Sequence, residues 1–311
     1  MANNIIDIPL LNPIRFVDIG GPFKGFDDDW FSNRIFDFQD AVNYYQKWQK
    51  SDTIKLQFYS NFTPVSVALL NCSGATLNIY QATVKSSQWL DPNFNPYEVN
   101  ISLASLQTGL YYLLLTAGTS TNQTQLISEP FWVDDVIDNS ILFDYKNSEN
   151  AQGVIFDTGI EFTMRAEGIV SKLTPSFKDT IYQDQILDNV ILSSIPFRQF
   201  KLMIGGQYGV PDWLIDKVNR ILSCDTWLAD GKSFVKKDGT QWTETAIENY
   251  PMSGWNIDIL EASNLSSKRG SNTGDPTQQV AVVYNIETDL FGTFNNAPWN
   301  ETVQITQISK A

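Results

Sequence analysis

Asp157 stands in the run Val154-Ile155-Phe156-Asp157-Thr158-Gly159, where apolar residues deliver one carboxylate to a Thr-Gly turn. That pattern suits acid–base hydrolysis by a carboxylate pair, in which two groups sharing a proton serve as base and acid. The chain has one such triplet, so a second copy must supply the partner. Ile160 also falls where such sites use a small residue, and Lys201-Leu202-Met203-Ile204-Gly205 only imitates the apolar-apolar-Gly element that accompanies them. A plain hairpin closed around Asp157-Thr158-Gly159, with strands at 154–156 and 160–164, asks for less. Asp27-Asp28-Asp29 invites calcium or glycoside chemistry. Calcium needs alternating oxygen ligands with a distal Glu, and glycoside hydrolysis needs two carboxylates at a set separation. Neither pattern is present, and a solvated acidic loop is the simpler reading.

Composition removes further chemistries. The 311 residues include no histidine, which excludes Ser-His-Asp and Cys-His nucleophiles and every His-ligated metal. Cys72 and Cys224 are the only cysteines, so no structural zinc site forms, and buried free thiols fit better than one long-range disulfide. No phosphate-cradling Gly-x-x-x-x-Gly-Lys loop or Gly-x-Gly-x-x-Gly turn occurs. No catalytic, cofactor-binding or metal-ligating residue is therefore expected, and no cofactor. A formal charge of −14 argues against gripping nucleic acid, which needs clustered Lys and Arg. No apolar run approaches the ~18 residues that span a bilayer, so membrane insertion is not expected. The first ten residues lack a basic region followed by an apolar core, so no secretory signal is expected either. Nine tryptophans raise glycan contact, because exposed aromatic faces stack on sugars. Trp132, Trp213, Trp227, Trp242 and Trp255 fall at positions a core or a subunit contact explains as well, whereas Trp299 lies in a Pro-containing loop.

The elements that must position these residues are mostly strands. Apolar and polar residues alternate through Ile6, Ile8 and Leu10, either as an arm that adds to a neighbour or as a first strand of the chain's own sheet. Phe38, Ala41, Val42, Tyr45 and Trp48 recur at helical spacing and predict a helix over 38–48. Strands follow at Ile54–Phe58, Val65–Leu69, Leu77–Ile79, Val99–Leu103, Gly109–Leu115 and Leu126–Val133, the signature of an antiparallel sandwich. Two more lie at 186–192 and 197–204. Leu214, Ile215, Val218, Ile221 and Leu222 form one helical face, with Pro211 at the first helical position and an Asp216–Arg220 pair opposite. Such a short helix needs a sheet to lie on. Asp230-Gly231 and Asp238-Gly239 predict two hairpin turns and a meander, and Trp255, Ile257 and Ile259 alternate in the last strand.

The expected fold is thus mainly β (all-β/α+β). An N-terminal immunoglobulin-like β-sandwich (1–134) is followed by a linker (135–140). A second antiparallel β-rich domain with one packed helix at 211–223 spans 141–263. A C-terminal extension with two strands, 264–311, either reaches toward another subunit or completes a sheet already present.

Three segments carry a resemblance: Tyr45 through Phe58, Ser128-Glu129-Pro130-Phe131-Trp132-Val133, and Val210 through Trp255. They resemble parts of virion proteins of tailed phages and prophages of Bacteroidetes, crAss-like phages among them, in texture and segment order. The resemblance implies a structural subunit of a bacteriophage tail, in the tail, baseplate or hub, or neck ring. It implies a non-enzymatic homo-oligomer in the virion, assembled in the bacterial host cytoplasm, whose partners are copies of itself and other phage tail proteins. No catalytic residues come with it. On this reading Ile6, Ile8, Leu10, Phe291, Phe294 and Trp299 are the candidate interface residues, and an acidic wall would let DNA pass without sticking. A glycan- or receptor-binding tail module is the alternative reading, and an aspartic-protease-like enzyme using Asp157 the third.

Overall fold

The computed structural model describes residues 6–18, 44–86, 94–119, 122–171, 174–183, 189–206, 208–246 and 252–262. The chain divides into units 1–267 and 268–311, and all described residues belong to the first.

The first half holds strands β1 (Ile6–Asp7), β2 (Phe16–Asp18), β3 (Gln46–Gln49), β4 (Thr53–Ser60), β5 (Val65–Asn71), β6 (Thr76–Gln81), β7 (Thr83–Val84), β8 (Asn95–Ser102), β9 (Gly109–Thr119), β10 (Asn122–Ser128) and β11 (Phe131–Asp134). One sheet runs β1-β4-β8-β7, and the other runs β2-β10-β9-β11-β3 with β5 and β6 branching from β9. Every second residue points inward, so Ile54, Leu56 and Phe58 of one sheet share a core with Tyr111, Leu113 and Leu115 of the other. The near-continuous apolar strand Gly109–Leu115 lies at the centre of its sheet, hydrogen-bonded to β5, β10 and β11.

Two local expectations fail here. The described end of the expected 38–48 helix is the strand β3, parallel to β11, and Trp48 is fully buried in the sandwich. Gln46 and Trp48 bury alternately, so a sheet partner overrides the helical spacing; residues 38–43 lie outside the described residues. The expected strand 126–133 is two strands broken at Glu129-Pro130, where proline has no N–H to extend a ladder.

The second half holds β12 (Ser140–Lys146), β13 (Phe162–Val170), β14 (Thr174–Gln183), β15 (Asn189–Ile204), α1 (Asp212–Ile221), β16 (Thr226–Ala229), β17 (Lys232–Lys236), β18 (Thr243–Ala246) and β19 (Ser253–Glu261). Pairings run β15-β13-β12-β16-β17-β19 and return from β19 to β15, so six strands close a barrel. Leu214, Ile215, Val218 and Ile221 of α1 join the barrel's Phe143, Phe162, Met164, Trp227 and Ile259 in one core. Pro211 is the N-cap rather than the first helical residue, and the α-helix ends at Ile221, two residues short of the expected end. The Asp216–Arg220 pair forms at 2.8 Å. Asp230-Gly231, both at positive φ, turns β16 into β17 as expected. The meander does not continue: β17 and β18 pair with successive stretches of one edge of β19, 259–261 and 253–256, and β15 takes its other edge.

Polar side chains join the two halves. Leu11 belongs to the barrel core and Ile14 to the sandwich core, so residues 9–14 run between them. Asn12 Nδ2 donates to Gln57 O (2.7 Å), and Gln57 N–H donates to Asn12 Oδ1 (2.9 Å). Gln57 then exchanges a reciprocal pair with the Ile155 backbone, at 2.9 and 2.8 Å. Lys217 Nζ donates to Asn12 O (2.7 Å) and Tyr145 Oη to Leu11 O (2.6 Å). Arg165 meets Asp52 through two parallel bonds, 2.7 and 2.8 Å, with both side chains buried. Mutual satisfaction of this kind is what allows charged and amide groups to leave water.

Candidate interaction surface

The long hairpin β14–β15 is the least covered element among the described residues. Residues 202–204 of β15 pair with β13 inside the barrel, whereas residues 189–199 pair with β14. On its other edge β15 meets β19 only from Gln199 to Ile204. Among the described residues the distal ribbon is therefore two strands wide. The sequence favours it locally through β-branched and aromatic residues, and it tolerates Pro175 and Pro196 because no described strand pairs with the outer edges there.

Its side chains run against the ordinary burial pattern. Phe177, Ile181, Tyr182, Ile191 and Leu192 are between 53% and 69% exposed. Phe177 and Ile181 share a face by the two-residue repeat, and Ile191 sits directly opposite Ile181. The register slips between Thr180 and Ile181, which leaves Leu192 in excess as a bulge. Charge is sparse on β14, where Lys178 and Asp179 cancel. At its base Arg198 pairs with Glu261 at 3.0 Å. A two-stranded ribbon is marginal by itself in water, and an exposed apolar edge strand is a template for further pairing.

The residues singled out from sequence fall elsewhere. Ile6 pairs through β1 with Ser60 of the same chain, and Ile6 and Ile8 are half-buried against the sandwich core, so of the two readings of this segment the first-strand one holds. Leu10 is exposed. Phe291, Phe294 and Trp299 lie outside the described residues, as does Asp27-Asp28-Asp29. Asp157 is exposed on a 3-10 turn, not between two hairpin strands, with Gly159 in the left-handed region behind it. The correction has a packing cause: Val154, Ile155 and Phe156 are buried individually, and β13 begins only at Phe162. The carboxylate of Asp157 accepts from Asn150 Nδ2 at 2.8 Å, an amide where a proton-sharing dyad needs a second carboxylate. Among the tryptophans, Trp227 is buried, while Trp213, Trp242 and Trp255 are partly buried against the barrel core.

A cleft of about 590 Å³ opens between the halves, with Lys47, Asp138, Glu167, Tyr208, Trp255 and Asn256 in its wall. Lys47 and Glu167 form an ion pair within it. Among the described residues no group of three acidic or thiol side chains is placed to hold a metal ion. No helix there is long and apolar enough to cross a membrane. Both cysteines are free, Cys224 buried as expected and Cys72 exposed on the turn before β6, contrary to expectation. Burial pushes the Cys224 thiol up to about 12, which keeps it protonated and unreactive.

The chain is thus a mainly β protein of two packed β modules, with one helix among the described residues and a projecting apolar ribbon. No protein-family model matches the chain, and no curated protein or solved structure shows significant similarity to it. Sequence reasoning missed the ribbon as a surface. A partial signal was available, since Phe177 through Tyr182 combines apolar residues with Pro175 just before them and no strong inward alternation.

Proposed function

We propose that this protein is a structural subunit of a bacteriophage tail and acts by assembling with further subunits. The observation that carries the reading is the ribbon β14–β15, whose large apolar side chains stand in water on a chain of formal charge −14. Apolar area of that kind drives association at roughly 25 cal/mol per Å² removed from water. The tail assignment rests on the resemblance of residues 45–58, 128–133 and 210–255 to virion proteins. Mass spectrometry of gradient-purified particles tests it: peptides of this chain are expected at multi-copy stoichiometry. Their absence from particles, with the chain abundant in the host lysate, would refute the assignment.

A second reading, a glycan- or receptor-binding tail module, draws on the cleft that combines Trp255 and Tyr208 with Asp138 and Asn256. Aromatic faces beside amides and carboxylates suit sugar hydroxyls. Glycan-array binding lost on Trp255→Ala, with the oligomer intact, would select it.

A further inference from the structure

Resting on the glycan-binding reading, we propose that the cleft beside Gly254 is the binding site and that its ligand is an uncharged saccharide. The sugar lies on a floor that three strands leave bare.

Strand register builds that floor. Ile169 of β13 stands opposite Met203 of β15, and Met203 opposite Asn256 of β19, so the three share the face turned away from the barrel core. Glu167 and Gly254 join this face by the two-residue repeat, and Thr245 of β18 sits opposite Gly254. All six line the cleft. Three of the glycines in its wall are accounted for by the backbone. Gly205 and Gly206 lie at positive φ, and a Cβ on Gly168 would sit 2.4 Å from the Met203 carbonyl oxygen. Gly254 has neither reason. Its φ is outside the left-handed region, and a Cβ there would meet nothing closer than Thr245, at 3.7 and 3.8 Å. Glycine weakens a strand, and one that the fold does not require marks the close approach of something else. Here the approach is from a cleft of about 590 Å³, within the size range of small-molecule sites.

The chemistry of the wall selects the ligand. Asp138, Asn139, Tyr208 and Thr245 are exposed around the floor, and their side chains bond to no described residue. Asn256 Nδ2 donates to Thr243 O at 3.2 Å, which leaves Oδ1 to accept. Asp138 only accepts, whereas the Asn139 amide and the two hydroxyls also donate. Ligand hydroxyls answer both senses at once. An anion would face Asp138 and Glu167, with Lys47 already paired to Glu167. A cation would leave the donors idle, and an apolar ligand would strip water from these groups without replacing it. Ile169, Met203 and the Tyr208 ring supply the apolar contact that the C–H face of a sugar needs.

Full-length protein on an array of neutral, sialylated and sulfated glycans tests the class. Binding is expected to neutral glycans and not to their charged counterparts. Titration calorimetry with the best-bound array glycan then tests the site in two variants. Gly254→Val sets two methyl groups over the floor at a strand position that suits valine. Its circular dichroism is expected to match wild type and its thermal midpoint to equal or exceed it, with affinity lowered about tenfold or more. Asp138→Asn with Thr245→Val, both exposed and close to isosteric, adds no bulk and is also expected to lose about tenfold or more. Neutral-glycan binding retained by either folded variant overturns this site and leaves the glycan-binding reading standing. Binding confined to charged glycans overturns the uncharged class and again leaves that reading standing. A chain that binds no glycan overturns both.

Discussion

Asp52 and Arg165 show what a single residue contributes to the junction between the halves. Both are buried, and the fork of Arg165 fills both carboxylate oxygens while its third nitrogen donates to Ser140 Oγ at 2.9 Å. Removing one partner leaves a buried charge, so Asp52→Ala is expected to lower unfolding free energy by about 3–5 kcal/mol in urea melts. Replacing both with apolar residues of similar volume is expected to cost much less, because no uncompensated charge remains. Cys224 gives a second residue-scale prediction. One thiol, Cys72, is expected to react with a maleimide in the folded protein, and both in denaturant. With its folded pKa raised to about 12, Cys224 contributes stability that is fully present below its unfolded pKa and is lost progressively as pH rises from there through about 12. The urea midpoint is therefore expected to fall on the alkaline side, and less steeply in Cys224→Ala.

At the scale of elements, the approach to α1 depends on one glycine. Gly209 sits at φ +71°, and a Cβ there would lie 2.8 Å from the backbone of Met252 and Ser253. Val210 exchanges hydrogen bonds with Ser253 across that contact, so β19 fixes where the helix starts. Gly209→Ala combines left-handed strain with a backbone clash and is expected to destabilise by about 2–4 kcal/mol. Thermal unfolding measures it, with Gly231→Ala, which meets nothing within 4 Å, as the strain-only comparison. The strands themselves were largely readable from alternation, because one face of each is buried. The 38–48 helix was not: Tyr45 and Trp48 fit helical spacing, whereas the strand buries Gln46 and Trp48 and turns Tyr45 to the other face, an alternation that only the partner strand Phe131–Asp134 imposes. Asp238-Gly239 misled for a related reason. It makes a turn, but β17 is already paired on both edges, with β16 and β19.

For the whole molecule, the assembly reading makes a claim about salt. If contacts are apolar and the bodies repel, screening favours association. Sedimentation equilibrium is expected to show larger species at 0.5 M than at 0.05 M sodium chloride, concentrations chosen as about 4 and 14 Å screening lengths. Dissociation by salt would point instead to ionic contacts, and would count against the ribbon as the seat of assembly.

What the amino-acid order determined alone was local: which runs alternate, where Asp230-Gly231 reverses the chain, and which face of α1 is apolar. These follow from side-chain periodicity, and need no distant partner. The tertiary structure alone decided the rest. Asn12, Gln57, Arg165 and Lys217 read as surface residues until backbone and carboxylate partners far along the chain take them out of water. The exposure of Phe177, Ile181 and Ile191 is set by barrel closure, which leaves their ribbon without a covering layer among the described residues. Burial is a property of what arrives from elsewhere in the chain, and periodicity carries no record of it.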